Sequence, residues 1–252
     1  MEMFNLSGRV AVVTGASKGM GFAIARALGA AGASVIISAR TSAAAAEAAA
    51  LLQSEGIEVR GLILDVCHTQ SVAEFSVQAL AAFGRVDVLV LNAAANTPNG
   101  ALLSQDPEDL GKVMRDNVQA NLAIVNALVP PMVKRKQGSL IFMSSRAAKR
   151  GSLNLGLYAM AKAAIDQYVR NLALELGPSN INVNSINPGP VRTDFSRVLW
   201  EDPNREAAIV AMTPMRRIAE PSDVAGLALL LASPAGHFIH GQNISVDGGM
   251  TA

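Results

Sequence analysis

Short apolar runs alternate with longer helical patterns along the whole chain, and this alternation constrains the fold more than any other feature of the sequence. The runs are rich in β-branched residues and are bounded by Gly, Asp or Pro, as buried strands usually are. They predict an α/β fold with one doubly wound parallel sheet of about seven strands, helices on both faces and right-handed crossovers. The predicted strands are residues 9–15, 34–39, 59–66, 86–93, 139–145, 181–189 and 242–246.

The segment 41–56, TSAAAAEAAALLQSEG, illustrates the predicted helices. Thr41 or Ser42 can cap its start, the alanines favour a helix, and Gly56 can end it. Hydrophobic residues make up 50% of the chain and aromatic residues only 4%, so the core must consist mainly of Ala, Val, Leu and Ile. Such a core suits parallel strands that are covered by helices.

Nothing in the sequence marks a domain boundary. The 252 residues contain no Pro/Ser-rich linker, no low-complexity tail and no repeat beyond the strand and helix rhythm. We therefore expect one domain over residues 1–252. Residues 190–220 lie between a predicted strand and the last helix without a regular pattern, and a long irregular insertion of this kind predicts a lid.

Charge and composition exclude several classes of protein. The formal net charge is +1 and the longest basic run is KRK at 134–136, so nucleic-acid binding is not expected. No apolar run approaches 18 residues and the start has no signal-peptide pattern, so no membrane association is expected. Cys67 is the only cysteine, which excludes an intrachain disulfide and fits a reducing compartment. We expect a cytoplasmic protein, and no metal site is indicated.

The stretch TGASKGMG, residues 14–21, joins the first predicted strand to the first helix. Its glycines allow a tight turn, close approach of the backbone to a phosphate and close helix packing, and the helix N-terminus supplies amide donors. Because a further strand follows, this context predicts a Rossmann-like dinucleotide-binding and catalytic domain. The expected cofactor contacts in the turn are Gly15, Ser17, Lys18, Gly19, Met20 and Gly21.

Basic residues near the second strand indicate which cofactor is preferred. Arg40 stands where an acidic residue would bind a ribose 2′-hydroxyl, and Lys18 lies in the turn itself. Two cations near the adenosine ribose suit a 2′-phosphate, so NADP(H) is predicted as preferred and NAD(H) as possible. Either residue alone could be an ordinary exposed side chain. Asp65, which precedes Val66, is placed either to accept from an adenine amino group or to cap the next helix.

The stretch YAMAK, residues 158–162, places a phenol and an ammonium four residues apart in a predicted helix. Such residues share one helix face. At roughly 4 Å and an effective dielectric near 20, Lys162 could favour a Tyr158 phenolate by about 4 kcal/mol, which would bring its pKa near 7. On spacing alone, Tyr158 could equally pack at the edge of the hydrophobic core while Lys162 is a solvated surface charge.

Taken together, these motifs resemble those of the short-chain dehydrogenase/reductase family. The resemblance runs from about Ser7 to the C-terminus, and its motifs are specific as a set. Besides TGASKGMG and YAMAK, they include LNAAA after the fourth strand, a serine thirteen residues before the tyrosine, a Pro-Gly turn, and VDGG at 246–249.

The resemblance implies a catalytic set and further cofactor contacts. Tyr158 is the implied general acid/base, and Lys162 is implied to bind ribose and lower the tyrosine pKa. Ser145 would hydrogen-bond the substrate oxygen, and Asn117 would serve the proton relay, with Asn121 as its rival on sequence. The additional implied cofactor contacts are Asp65, Val66, Asn92, Ala93, Tyr158, Lys162, Pro188, Gly189, Val191 and Thr193.

Two departures from the family pattern stand out. Leu91 and Ala94 replace an asparagine and a glycine of the usual NNAG, a change that we expect to be tolerated. Residues 178–180 lack the basic residue that relatives with acyl-carrier substrates tend to show, which argues mildly against fatty-acid synthesis.

The resemblance implies hydride transfer between NADP(H) and a carbonyl or secondary alcohol. The apolar residues before the tyrosine and in the lid predict a small, largely apolar substrate, while Lys149 and Arg150 leave a keto acid open. An NAD-dependent sugar or polyol dehydrogenase, a 3-oxoacyl reductase and a non-catalytic nucleotide-binding scaffold are the alternatives. A homotetramer is implied. The predicted substrate contacts are Ser145, Leu155, Tyr158 and Trp200, with Leu157, Phe195, Val198 and Leu199 nearby.

Overall fold

The computed structural model describes residues 2–95 and 97–252. Seven strands form one sheet in the order β3-β2-β1-β4-β5-β6-β7, and every neighbouring pair is parallel. The predicted doubly wound α/β architecture is therefore confirmed. The strands are β1 Val10–Val13, β2 Ser34–Ala39, β3 Val59–Ile63, β4 Val88–Leu91, β5 Gly138–Met143, β6 Ile181–Pro188 and β7 Asn243–Val246.

All seven predicted strands occur in the structure, but several are shorter than the apolar runs suggest. The difference is greatest at their carboxyl ends, where residues 14–15, 92–93 and 144–145 have already left the sheet. These residues belong to the loops at the edge of the sheet, and they include several predicted site residues. These residues are small and mostly polar, so the strands end where the apolar residues end, and the predicted bounds extend two residues too far at these three points.

Helices cover both faces of the sheet. A five-residue π-helical turn, Arg115–Gln119, joins α4 directly to α5, so this region is one continuous helix with a wide turn. The helices are α1 Gly19–Ala30, α2 Ser42–Ser54, α3 Thr69–Ala82, α4 Pro107–Met114, α5 Ala120–Leu128, α6 Pro130–Arg135, α7 Gly156–Leu176, α8 Pro203–Met212 and α9 Pro221–Ala232.

The hydrophobic core has two halves, one on each face of the sheet. Successive residues of a strand point to opposite faces, so Val13 contributes to one half and Val12 to the other. The first half packs the sheet against α1, α2 and α9, and the second packs it against α3, α5 and α7. The five inner strands are thus largely buried on both faces, as the aliphatic composition predicts, while the edge strands β3 and β7 are more exposed.

The segment 190–220 is more regular than its sequence suggests. A 3₁₀ helix spans Asp194–Leu199, α8 follows it, and a parallel bridge pairs Val191 with Ala219. The expectation of an irregular insertion is therefore wrong. The bridge closes the base of the segment, while most of the 3₁₀ helix stays exposed or half-buried. Its action as a lid stays a prediction.

Within the described ranges, no helix combines the length and the apolar character that crossing a membrane requires.

The start of α2 offers a test of local stability. Thr41 is the N-cap, and its hydroxyl accepts a hydrogen bond from the Ala44 amide at 3.3 Å. Thr41→Ala should lower the free energy of unfolding by about 1 kcal/mol because that amide loses its partner. Urea unfolding should find Thr41→Ser close to wild type. Equal losses in Thr41→Ala and Ser42→Ala would contradict the assignment of Thr41 as the cap.

Candidate active site

The candidate site lies at the carboxyl ends of β1 and β4, where the strand order reverses. Ligands of open α/β sheets bind at such a switch point. Two residues just beyond the strands join the ends together. The buried Thr14 hydroxyl accepts from the amides of Asn92 and Ala93, both at 2.9 Å, and the Asn92 amide group donates to the carbonyls of Thr14 and Gly15. The glycine-rich turn is therefore tied to the end of β4.

The turn has the close approaches that a dinucleotide-binding loop requires. Gly15 and Gly19 have φ of +63° and +60°, in the left-handed region that favours glycine. A Cβ on Gly21 would lie 2.5 Å from the Gly15 carbonyl oxygen, and one on Gly15 would lie 2.9 Å from Ala93 Cα. The backbone is thus held compact at the start of α1, whose first amides can bind an anion. These features fit the pyrophosphate of a nicotinamide cofactor.

The two predicted 2′-phosphate cations differ in their surroundings. The Lys18 ammonium makes a salt bridge of 2.7 Å to Asp194, the first residue of the 3₁₀ helix in segment 190–220. Arg40 directly follows β2 and is exposed. The Lys18 pairing was not expected from the sequence, because Asp194 is 176 positions away. The glycine-rich turn is therefore linked to the predicted lid.

Asp65 is a turn residue rather than a helix cap. Its carboxylate accepts from the Cys67 amide at 3.0 Å, while the N-cap position of α3 belongs to His68. The helix-cap interpretation is therefore wrong. The carboxylate is half-buried beside Val66 and keeps acceptor capacity for an adenine amino group.

Burial, with the nearby Asp116 and Asp65, raises the pKa of Cys67 to about 11.

Tyr158 and Lys162 share one face of α7, as their spacing predicts. The Lys162 nitrogen lies 5.6 Å from the centre of the Tyr158 ring and donates to the Met143 carbonyl at 2.8 Å. Lys162 is 4% exposed, so it is not a solvated surface charge. Burial lowers its pKa to about 8, against a smaller raising effect of Asp166.

The acidity of Tyr158 differs from the expectation. Partial burial raises the pKa of the phenol above its usual value of 10, while hydrogen bonding with Ser145 lowers it by less. The prediction of a pKa near 7 is therefore wrong for this structure. It assumed an ammonium about 4 Å away and no loss of hydration. The phenol holds its proton at neutral pH, as a proton donor must.

Ser145 and Asn117 lie in two short turns, one after β5 and one between α4 and α5. Ser145 follows β5 and accepts from the Ala147 amide at 3.1 Å, which starts a short turn towards α7. Asn117 lies in the π-helical turn, donating to Val113 O and accepting from Ala95 N. Its rival Asn121 donates to the Asn117 carbonyl at 3.0 Å. π-Helical turns often occur at functional sites.

The predicted contacts after β6 form a tight corner. A Cβ on Gly189 would lie 2.9 Å from Asp247 Cα. Pro188 and Val191 are buried, and Thr193 caps the 3₁₀ helix through Ser196. Thr193 also packs over the glycine-rich turn, since a Cβ on Gly19 would meet its methyl group at 3.2 Å.

The predicted substrate residues separate into different environments. Leu155 is half-buried at the start of α7, and the Trp200 indole donates to Thr193 O at 3.2 Å. Arg192 and Arg197 lie 5.4 and 6.0 Å from the Trp200 ring centre. The expectation that Leu157 lines the pocket is wrong, because it is 4% exposed and packs in a small core cluster.

Lys149 and Arg150 are also engaged elsewhere. The Lys149 ammonium donates to the Asn243 carbonyl and the Ser245 hydroxyl, and Arg150 donates to the Met250 carbonyl. Both side chains therefore bind β7 and the C-terminal residues that follow it. The structure gives no support to their predicted role at a substrate carboxylate.

Three residues of this region were missed by sequence reasoning. Thr14 carries the bonds that hold the turn, and its place before the first glycine was the available signal. Asp166 is 5% exposed on α7, one turn after Lys162, a spacing that could have indicated it. Asn187 is fully buried in β6 and donates to Ser145 O at 3.0 Å. Nothing in the sequence marked Asn187, because only the pairing of β5 with β6 brings it there.

The chain is similar to known proteins over most of its length. A family model described as enoyl-(acyl carrier protein) reductase matches residues 15–251. The chain is 39% identical to dehydrogenase/reductase SDR family member 4 of Bos taurus over 97% of this chain and 88% of the bovine protein.

Two solved structures are similar over nearly their whole length. A 7α-hydroxysteroid dehydrogenase in complex with NADH and 7-oxo glycochenodeoxycholic acid has a TM-score of 0.93 and 33% identity, with 98% of this chain and 96% of that chain covered. A gluconate 5-dehydrogenase from Burkholderia cenocepacia in complex with NADP and tartrate has a TM-score of 0.93 and 29% identity, with 99% and 98% covered.

The chain belongs to the short-chain dehydrogenase/reductase family, and it is an NAD(P)-dependent oxidoreductase of that family.

Gly21 tests the packing of the cofactor turn. Gly21→Ala should lower the free energy of unfolding by about 1 to 3 kcal/mol, because the new methyl group overlaps the Gly15 carbonyl. The matched control is Gly111→Ala in α4, where an added Cβ meets nothing within 4 Å. Urea denaturation should show that the control keeps or gains stability. Equal effects of the two substitutions would refute the close approach at Gly21.

Proposed function

We propose that this protein transfers a hydride between NADP(H) and the carbonyl or secondary alcohol of a small, largely apolar substrate. The observation that carries the proposal is the buried Lys162 ammonium on the same helix face as Tyr158, with Ser145 near enough to lower the pKa of the phenol. The Tyr158 phenol, the Lys162 ammonium and the Ser145 hydroxyl thus lie near one another at the edge of the sheet where the parallel strands have their carboxyl ends. A non-catalytic nucleotide-binding scaffold would have no use for this set.

The glycine-rich turn and the corner after β6 would hold the cofactor. The amides at the start of α1 face the expected pyrophosphate position, and Asp65 offers an acceptor for the adenine amino group. The remaining proposed contacts are Asn92, Ala93, Gly189, Val191 and Thr193. When bound, the nicotinamide ring supplies or accepts the hydride.

The chain's own residues would supply the proton and stabilise charge. In carbonyl reduction, negative charge develops on the substrate oxygen, and the hydroxyl of Ser145 would donate to that oxygen. Tyr158 would give its proton to the same oxygen, since its phenol is protonated at neutral pH. Lys162 would bind ribose and stabilise the resulting phenolate. We place Asn117 in the path that returns a proton to Tyr158.

Cofactor preference rests on Lys18 and Arg40. A 2′-phosphate carries close to two negative charges, which Arg40 can bind through charge-assisted hydrogen bonds. Lys18 would have to exchange its exposed salt bridge with Asp194, and such bridges contribute only about 0 to 1 kcal/mol. The pairing therefore weakens the preference for NADP without removing it.

The substrate class rests on the apolar surroundings of the site. If Leu155 and Trp200 line the substrate position, as we propose, a polyol would leave hydroxyl groups there without partners. The B. cenocepacia relative is a gluconate 5-dehydrogenase, so a sugar acid is the second candidate. We also propose a cytoplasmic homotetramer. Several large apolar side chains are exposed on the single chain and could pack between copies, among them Leu153, Leu174 and Phe238.

Removing the phenol hydroxyl tests the proposed reaction. Tyr158→Phe should lower the turnover of NADPH-dependent ketone reduction at least about a hundredfold, because general acid catalysis contributes that much, while cofactor affinity stays unchanged. Steady-state rates at 340 nm and a fluorescence titration with NADPH measure the two quantities.

The other tyrosine of the chain is the matched control. In the described ranges, the buried Tyr168 hydroxyl has no hydrogen-bond partner, so Tyr168→Phe should keep its turnover. More than about a tenth of wild-type turnover in Tyr158→Phe would rule out Tyr158 as the acid.

Replacing Arg40 tests the cofactor. Wild-type kcat/KM should favour NADPH over NADH by about ten- to a thousandfold, and Arg40→Asp should favour NADH, because a carboxylate binds the ribose hydroxyls and repels the phosphate. Arg60→Asp, at an exposed position of β3, makes the same charge change elsewhere and should leave the ratio unaltered. If the ratio stays the same in Arg40→Asp, Arg40 does not contact the cofactor.

A further inference from the structure

Asp166 is a buried carboxylate beside the catalytic pair. It lies one helical turn after Lys162 on the inner face of α7 and is 5% exposed. Its two oxygens accept from Ser185 Oγ at 3.0 Å and from Asn187 Nδ2 at 2.7 Å. Neither donor carries a charge. A buried carboxylate held only by neutral donors needs a nearby cation to offset its loss of hydration.

The network around Asp166 reaches the substrate side of the site. The Asn187 amide that donates to Asp166 also donates to the backbone carbonyl of Ser145 at 3.0 Å. Ser185 in turn accepts from Asn243 at 2.7 Å. These bonds join α7, β6 and β7 to the turn that carries Ser145. The carboxylate is thereby fixed in position rather than free to reach solvent.

Lys162 is a buried cation one helical turn before Asp166 on the same helix. The Lys162 ammonium bonds to a neutral carbonyl, and burial disfavours its charge. Asp166 acts in the opposite direction and favours the charged form. β6 contributes no ionisable side chain, and the ionisable groups of α4 lie on its more exposed surface. The other ionisable groups near this part of α7 are Tyr158 on the same helix, Arg146 in the turn after β5, and Arg115 and Asp116 in the π-helical turn.

We propose that Asp166 is a positioning residue for the catalytic pair, whose fixed, buried carboxylate keeps the Lys162 ammonium charged next to Tyr158. This role in catalysis rests on the proposed function. The effect of Asp166 on the protonation of Lys162 does not rest on it, because that effect is present whether or not a substrate is turned over.

The first experiment measures Lys162 directly. The chain has six lysines, so ¹³C labelling at the lysine ε-carbon gives a small set of NMR signals, and Lys162→Met identifies the one from Lys162. In the wild type this signal should titrate near pH 8. Asp166→Asn keeps the shape and removes the charge, so the midpoint should fall by about one pH unit.

Two further variants separate charge from packing. Ser185→Ala removes a hydrogen bond of the same network but keeps the carboxylate, so the Lys162 midpoint should stay within about 0.3 pH unit of wild type. In Asp166→Ala, water can replace the carboxylate, and the Lys162 midpoint should fall as it does in Asp166→Asn. This variant replaces the asparagine variant if the latter does not fold. An unchanged midpoint in the folded Asp166 variants would overturn the proposal.

The second experiment links the charge to the reaction. The alkaline limb of kcat/KM for ketone reduction should move to lower pH in Asp166→Asn, because the Tyr158 and Lys162 pair loses its first proton earlier. The limb should not move in Ser185→Ala. If the Lys162 midpoint shifts in Asp166→Asn but the alkaline limb of kcat/KM does not move, the role in catalysis is overturned. If the wild type reduces no carbonyl compound, the proposed function fails while the NMR result still decides the effect of Asp166 on the protonation of Lys162.

Discussion

The bond between the Lys162 ammonium and the Met143 carbonyl is the interaction on which the candidate active site depends. Met143 is the last residue of β5, and Lys162 lies near the start of α7. The bond fixes the helix against the sheet edge, so the phenol one turn earlier and the serine two residues after β5 are held on the same side. Burying an ammonium is unfavourable unless its protons find acceptors. Burial lowers the pKa of Lys162, and the bond to the Met143 carbonyl offsets part of the cost of that burial.

A second constraint sets where the cofactor can lie. Parallel strands end at one edge, so the loops after β1, β4, β5 and β6 meet there. Thr14 and Asn92 join the first two loops, and Asn187 joins the last two through Ser145. Each contact uses a small polar side chain at the end of a strand or just beyond it. The proposed cofactor and substrate positions are thus built from neighbouring loops of one rigid sheet.

The sequence was sufficient for the fold because strand and helix periodicity depend on local residues. The seven strands, a cap at Thr41 or Ser42 and the shared face of Tyr158 and Lys162 all follow from patterns within a single element, and the structure assigns the cap to Thr41. The ends of strands were less accurate, because the small polar residues that follow each apolar run do not show where the sheet ends. Segment 190–220 was also harder to interpret, because a 3₁₀ helix has no strong periodic signal.

Properties that depend on several elements could not be predicted in the same way. The pKa of Tyr158 is set by burial, which a helical spacing does not reveal, so the expected direction was wrong. The pairing of Lys18 with Asp194 and the bonds of Asn187 join residues that are distant in sequence. Lys149 and Arg150 were plausible carboxylate ligands by position. In the structure, Lys149 donates to β7 and Arg150 donates to a residue that follows β7.

In the proposed reaction, a hydride passes between the nicotinamide ring and a carbonyl carbon at this site. The transfer can be followed by mass spectrometry of the products formed with NADPH deuterated at the transferable C4 position. One deuterium should appear on the carbinol carbon formed from at least one apolar ketone, and it should appear faster than with deuterated NADH. Absence of deuterium from the products of a panel of ketones, keto acids and sugar-derived carbonyl compounds, with either cofactor, would contradict the proposed reaction.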